Sequence, residues 1–166
     1  IAYHNHTTVD WIGGFLQGNY TKDKLNVYGM GGVSSIKYTY QDHFTVEDAL
    51  VEADAISTFQ VKGGAMYDVD DNVSVFANTG YVQKPPIMDN VIYYDGTVAS
   101  DPSNEKFISS EAGVNFNTEN VAVKVSACNT DWMDRNQTKS VTTGQGDSGD
   151  TDVIFLSGIN QKHQGL

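Results

Sequence analysis

The chain has 166 residues, with 21 acidic and 10 basic side chains and a formal net charge of −11; without a basic surplus to neutralise phosphates, no nucleic-acid partner is expected, and docking on an anionic lipid surface is disfavoured. A single cysteine excludes an internal disulfide and a multi-thiolate zinc site. The hydrophobic fraction of 39% holds no run near the ~20 apolar residues of a membrane helix, which excludes a helical membrane protein but leaves a β-barrel open, because barrel strands are half polar.

Sixteen Gly, nine Tyr and seven Phe favour strands over helices, and the dominant pattern along the chain is alternation with period 2. Near the start, Ile12, Gly14, Leu16, Gly18 and Tyr20 alternate with Gly13, Phe15, Gln17 and Asn19. Leu25 to about Tyr40 reads as a second strand, with its alternation blurred at Gly31-Gly32. Between Gln41 and Ser57, the segment Val46–Ala53 carries Val46, Leu50 and Ala53 at helical spacing, so a short helix or an irregular acidic loop is expected there. Phe59–Asp68 gives the cleanest strand, with Phe59, Val61, Gly63, Ala65 and Tyr67 on one face and Gln60, Lys62, Gly64, Met66 and Asp68 on the other. Val73–Val82, Phe107–Phe116 and Val121–Cys128 follow in the same style, and Val153 to about Asn160 opens a seventh.

Short and long connections alternate without exception. Thr21–Lys24, Val69–Asn72 and Asn117–Asn120 are short, whereas Gln41–Ser57, Lys84–Asn104 and Asp131–Asp152 are long. Short turns then collect at one end of the sheet and long loops at the other, the asymmetry of outer-membrane barrels. Run lengths match the ~9–11 residues of a tilted membrane strand. Trp11, Tyr20, Tyr67, Tyr81 and Phe116 sit near run ends, as interfacial aromatic girdles do. The expected fold is all-β: an antiparallel up-and-down meander of about seven strands, part of a larger transmembrane barrel. A soluble β-sandwich, which would bury the apolar face in a shared core, is the alternative.

Few constellations carry chemistry. Gly146-Asp147-Ser148-Gly149 resembles the nucleophile loop of chymotrypsin-like serine proteases, but Asp150 and Thr151 break the match and His43 sits outside any matching histidine motif. A serine hydroxyl without its histidine and aspartate is a weak nucleophile, so the segment reads as a polar turn and no catalytic residue is assigned. Asp147, Asp150 and Asp152 lack the spacing of an EF-hand loop. His4 and His6 would share one strand face but make an incomplete metal site. No metal or cofactor is assigned. Glu111 and Lys124 fall on the same face of neighbouring strands and are expected to pair, and Cys128 shares that face.

The stretch Phe76-Ala77-Asn78-Thr79-Gly80-Tyr81-Val82-Gln83-Lys84-Pro85-Pro86 resembles the barrel region of TonB-dependent outer-membrane receptors. Further matches follow in family order: Val61–Tyr67, Asn104-Glu105-Lys106-Phe107 with its inward Glu, Asn129–Arg135, and Gly158–Gly165. The resemblance runs from about Trp11 to the end. It implies a barrel of about 22 strands with a plugged lumen, of which residues 1–166 are expected to be an internal piece, without signal peptide, plug or closing strand. It also implies, with no catalysis, uptake of a scarce extracellular substrate, such as an iron chelate, cobalamin or an oligosaccharide. The implied partners are outer-membrane lipid and TonB, the latter through an N-terminal region. In that role Gln17, Asn19, Gln60, Lys62, Asn78 and Glu111 on the inward face, with Trp132 and Arg135 in a loop, are the substrate-contact candidates. A passive porin-like channel shares the strand physics and remains the alternative within the membrane class.

Overall fold

The computed structural model describes residues 4–43, 49–93, 95–143 and 150–166. Its strands are β1 (Asn5–Lys22), β2 (Leu25–Asp42), β3 (Ala49–Glu52), β4 (Ile56–Asp68), β5 (Val73–Lys84), β6 (Glu105–Asn117), β7 (Ala122–Thr143) and β8 (Asp150–Gly165), with one 3-10 turn at Met88–Asn90. All neighbours pair antiparallel in the order β1-β2-β4-β5-β6-β7-β8, and β3 pairs with β2 alone. The meander is therefore as expected, with an eighth, short strand added to the seven.

That eighth strand corrects the reading of Val46–Ala53. Ala49–Glu52 is neither helix nor irregular loop but strand, and it continues the line of β4 along β2; residues 46–48 lie outside the described residues. Three residues, Ala53–Ala55, face two on β2, Lys37 and Tyr38, so the join is a bulge. The extra residue turns Val51 and Ile56 to the same face, which a regular strand would separate. The last long link is also mostly strand: β7 runs on to Thr143 and β8 begins at Asp150. The segment Gly146–Gly149 lies outside the described residues.

The two faces of the sheet differ in crowding. A Cβ added at Gly64 would meet Tyr28 Cε1 at 2.6 Å and the Asn78 side chain, and one at Gly113 would meet the Phe76 ring at 2.7 Å. On the opposite face, Gly14, Gly29 and Gly31 have nothing within 4 Å. Side chains converge on the inside of a curved sheet and diverge on the outside, so the Tyr28–Asn78 face is concave. The blurred alternation at Gly31-Gly32 resolves here: Gly31 points outward into open space, and Gly32 inward against Phe15 and Gln60.

The convex face carries an apolar band. In five strands it spans nine residues: Ile12–Tyr20, Leu25–Val33, Phe59–Tyr67, Val73–Tyr81 and Ile108–Phe116. At about 3.3 Å per residue such a run extends about 26 Å, or about 20 Å across a bilayer at a barrel-like tilt. The band is exposed, with Leu16 81%, Val125 62% and Val61 56% accessible. Ala65, Val75, Ala77, Val114, Val121 and Val123 are exposed as well, and Val73 is half-buried. Charges begin where the band ends. At the loop end, Lys37–Glu52 (2.6 Å), Lys106–Asp134 (2.7 Å) and Lys162–Asp131 (3.4 Å) form pairs. At the turn end, Lys24 donates to the Val69 carbonyl at 2.9 Å, and Asp70 Oδ1 accepts from the Asn72 and Val73 amides. This single layer, with its apolar face outward, overturns the sandwich alternative. One girdle assignment is also corrected: Trp11 pairs with Ile36 and stands on the concave face, over Gly13.

The small core sits at the loop end, on the concave side. Tyr38 and Tyr40 of β2, Ala53, and Val91 and Ile92 from the 85–104 link are buried together, flanked by Ile36, Val51, Ile56 and Met88. Burying Val91 and Ile92 completely contributes roughly 1.5–3 kcal/mol each. Tyr38 Oη donates to the Pro86 carbonyl at 2.9 Å and Asn104 Nδ2 to the Ser57 carbonyl at 2.8 Å, which fasten the link at both ends. Its own turn closes at Gly96, whose φ of +80° suits glycine. The Thr97 amide beside Asp95 holds that carboxyl below the usual carboxylate range.

Val125→Arg in the full-length protein is expected to impair membrane assembly, because a guanidinium near the middle of a lipid-facing band costs about 2–4 kcal/mol. Lys124→Arg, one residue back and facing inward, is expected to assemble normally. Heat-modifiable gel mobility of isolated outer membranes reads both.

Candidate functional site

Across the ladder, concave-face residues fall into lateral rows. One row runs Asn19, Tyr28, Gly64, Asn78, Glu111, Cys128. The next towards the loops runs Gln17, Met30, Lys62, Gly80, Ser109, Thr130, and the one beyond it Phe15, Gly32, Gln60, Val82, Phe107, Trp132. Gln60, Lys62, Asn78, Glu111 and Trp132 therefore share one face. Gly32, Gly64 and Gly80 leave room for the longer side chains beside them.

Tyr28, Lys62, Asn78, Ser109, Glu111 and Cys128 line a concavity of about 580 Å³. Its polar groups divide into committed and uncommitted. Lys124 Nζ stands 3.1 Å from Glu111 Oε1, the expected pair, and Ser126 and Asn78 also hydrogen-bond that carboxylate. Tyr28 Oη donates to Asn78 Oδ1 at 3.3 Å. Lys62, half-buried, forms no ion pair among the described residues. Glu111 is thus already neutralised, whereas Lys62 offers an open positive charge.

A second cluster occupies the mouth. Glu105 is 2% exposed; its Oε2 accepts from Trp132 Nε1 at 3.0 Å and from Lys84 Nζ at 3.2 Å, and its Oε1 from the Asn136 amide at 3.3 Å. The Trp132 ring lies 4.9 Å from the Phe107 ring and 6.4 Å from that of His163. The Arg135 guanidinium covers the Trp132 ring at 4.3 Å and donates to Gln161 Oε1 at 2.7 Å.

Residues 132 and 135 would face opposite sides of a regular strand. Past Arg135, up to Gln137, the extra residue is on β8, but between Trp132 and Arg135, where Asp134 is in the left-handed region (φ 55°), β7 carries one extra residue against β8. That bulge brings Arg135 round to the face of Trp132. Both were placed in a loop by the sequence; they stand instead on strand, where their geometry is fixed.

Glu105 is the principal residue missing from the sequence-derived set. Its inward position was legible in the Asn104-Glu105-Lys106-Phe107 match, but its burial depends on β7 and on the 85–104 link. A smaller hollow of about 210 Å³, between that link and β7–β8, was not legible at all. Asn90, Tyr93, Asp101, Ser103 and Asn136 line it, and the side-chain Oδ1 of Asn90 is buried with no hydrogen-bond partner among the described residues. Asp147 lies outside the described residues. Among those described, no group of three or more His, Cys, Asp or Glu is placed to hold a metal.

Comparison with known proteins adds two findings. The family model described as TonB dependent receptor-like, beta-barrel, matches residues 1–166. Among solved structures, the chain is similar to the siderophore receptor PirA from Pseudomonas aeruginosa, with a TM-score of 0.64 at 12% identity, covering 97% of this chain and 39% of that one. At that identity the likeness speaks for the fold alone, and the chain spans well under half of that receptor's length. No curated protein matches.

Glu105→Ala is expected to release the Trp132 indole and leave the Lys84 ammonium without its partner, at a cost of about 1–3 kcal/mol. Tryptophan emission should shift to the red at the mouth while the barrel still shows heat-modifiable mobility. An unchanged spectrum would mean that Glu105 does not hold the ring.

Proposed function

The chain belongs to the TonB-dependent receptor-like β-barrel family, and on that premise we propose that it forms part of the wall of a larger barrel that imports a scarce substrate with energy from TonB. The family is one of receptors and transporters of the Gram-negative outer membrane, not of enzymes. In this reading β1 and β8, each paired on one side only among the described residues, pair with further strands, since open edges are not viable in lipid.

The observation that carries the reading is the concave wall. It is polar across several strands, closed from lipid by the apolar band, and topped by the cluster around Trp132. Of the substrates the resemblance implies, the wall favours an anionic iron chelate over cobalamin or an oligosaccharide. Lys62 supplies an unpaired cation, Arg135 a guanidinium over an aromatic face, and Gln60 a donor and acceptor between them. Asn78 and Glu111 act at one remove, through Tyr28 and Lys124, as the floor that keeps the wall in shape. A siderophore receptor shares the fold of this wall.

Full-length receptor is expected to bind a ferric chelate in the absence of TonB but to transport it only when TonB is present, measured as uptake of labelled iron by whole cells. Lys62→Gln and Arg135→Ala should each weaken binding about tenfold, ~1.4 kcal/mol, in a tryptophan-quenching titration. Uptake that persists without TonB would favour the porin-like channel instead.

A further inference from the structure

Three of the chain's four histidines, His4, His6 and His43, gather at one corner of the sheet. The β1–β2 ladder continues past Asn5 and Asp42, with the His43 amide donating to the His4 carbonyl at 2.8 Å, so His4 and His43 stand directly opposite each other. Their rings lie 5.0 Å apart, centroid to centroid, at 40°. His6, opposite Gln41, has the same outward parity two residues along. All three sit beyond Asp10 and Lys37, where the outward face has left the apolar band.

The separation has a specific meaning. A metal–imidazole bond of about 2.0–2.1 Å places the ion about 3.2 Å from each ring centroid. Two such rings at a bond angle between a right angle and the tetrahedral value lie about 4.5–5.2 Å apart. The pair His4/His43, at 5.0 Å, falls in that window, which lies at the short end of the 4.5–7 Å over which aromatic rings pack. We propose that His4 and His43 form a bidentate site for a divalent first-row transition ion, Cu²⁺ most tightly and Zn²⁺ or Ni²⁺ less so. The protein supplies two ligands and water completes the shell. The outward parity keeps this ion off the concave wall, so the site is separate from the substrate path and does not depend on the function proposed above.

The test uses full-length receptor in detergent, titrated with Cu²⁺ and followed by electron paramagnetic resonance. One Cu²⁺ with two imidazole nitrogens is expected, and His4→Asn and His43→Asn should each weaken binding at least tenfold and leave a single imidazole signal. His4→Gln and His43→Gln repeat the test should either asparagine variant lose heat-modifiable mobility. Wild-type affinity in the variants at either position, or a native spectrum with only one imidazole, overturns the assignment.

Discussion

A backbone N–H or C=O left unpaired in hydrocarbon costs several kcal/mol, and this constraint organises the chain. It demands an unbroken ladder, and the ladder here runs continuously from β1 to β8. A sheet held in that way needs no second layer. Its apolar side chains can all point outward, as Leu16, Val61 and Val125 do, because their solvent is lipid. The exposed face that would make a soluble protein aggregate is here the surface the membrane requires.

From the same constraint follows the division of labour along the strand. Nine residues of apolar outer face set the membrane segment, and beyond it the strands run on, β7 over 22 residues in all. Freed from lipid there, the chain departs from regularity. The bulges at Ala53–Ala55 and around Arg135, the left-handed Asp134 and Gly158, and the folded 85–104 link all lie towards the loop end. Irregular backbone is tolerated where water or protein can satisfy it, so the side chains aimed into the mouth are placed by features the spanning segment excludes.

The sequence made the spanning segment legible because period 2 is local. Phe59–Asp68 and Phe107–Phe116 declare their two faces without reference to any neighbour, and Glu111 and Lys124 could be paired from parity alone. What was not legible depends on residues far apart. A bulge shifts parity by one, so Trp132 and Arg135 read as a loop pair rather than one stacked cluster. The helical spacing of Val46, Leu50 and Ala53 lost to pairing along β2, which Ala49–Glu52 joins. Trp11 read as an interfacial ring because it lies near a run end, yet its register opposite Ile36 turns it inward. The burial of Glu105 comes from partners 21 to 31 residues away, which no local pattern reports.

The central claim is that one face of this sheet meets lipid and the other an aqueous lumen. It is tested most directly by spin labels placed singly at each position from Phe107 to Phe116 in the full-length receptor in bilayers, with relaxation by oxygen and by a water-soluble nickel chelate compared. Oxygen contact should peak at positions 108, 110, 112, 114 and 116, and nickel contact at the positions between them. A loss of the period-2 alternation, or its inversion, would contradict the placement of the two faces.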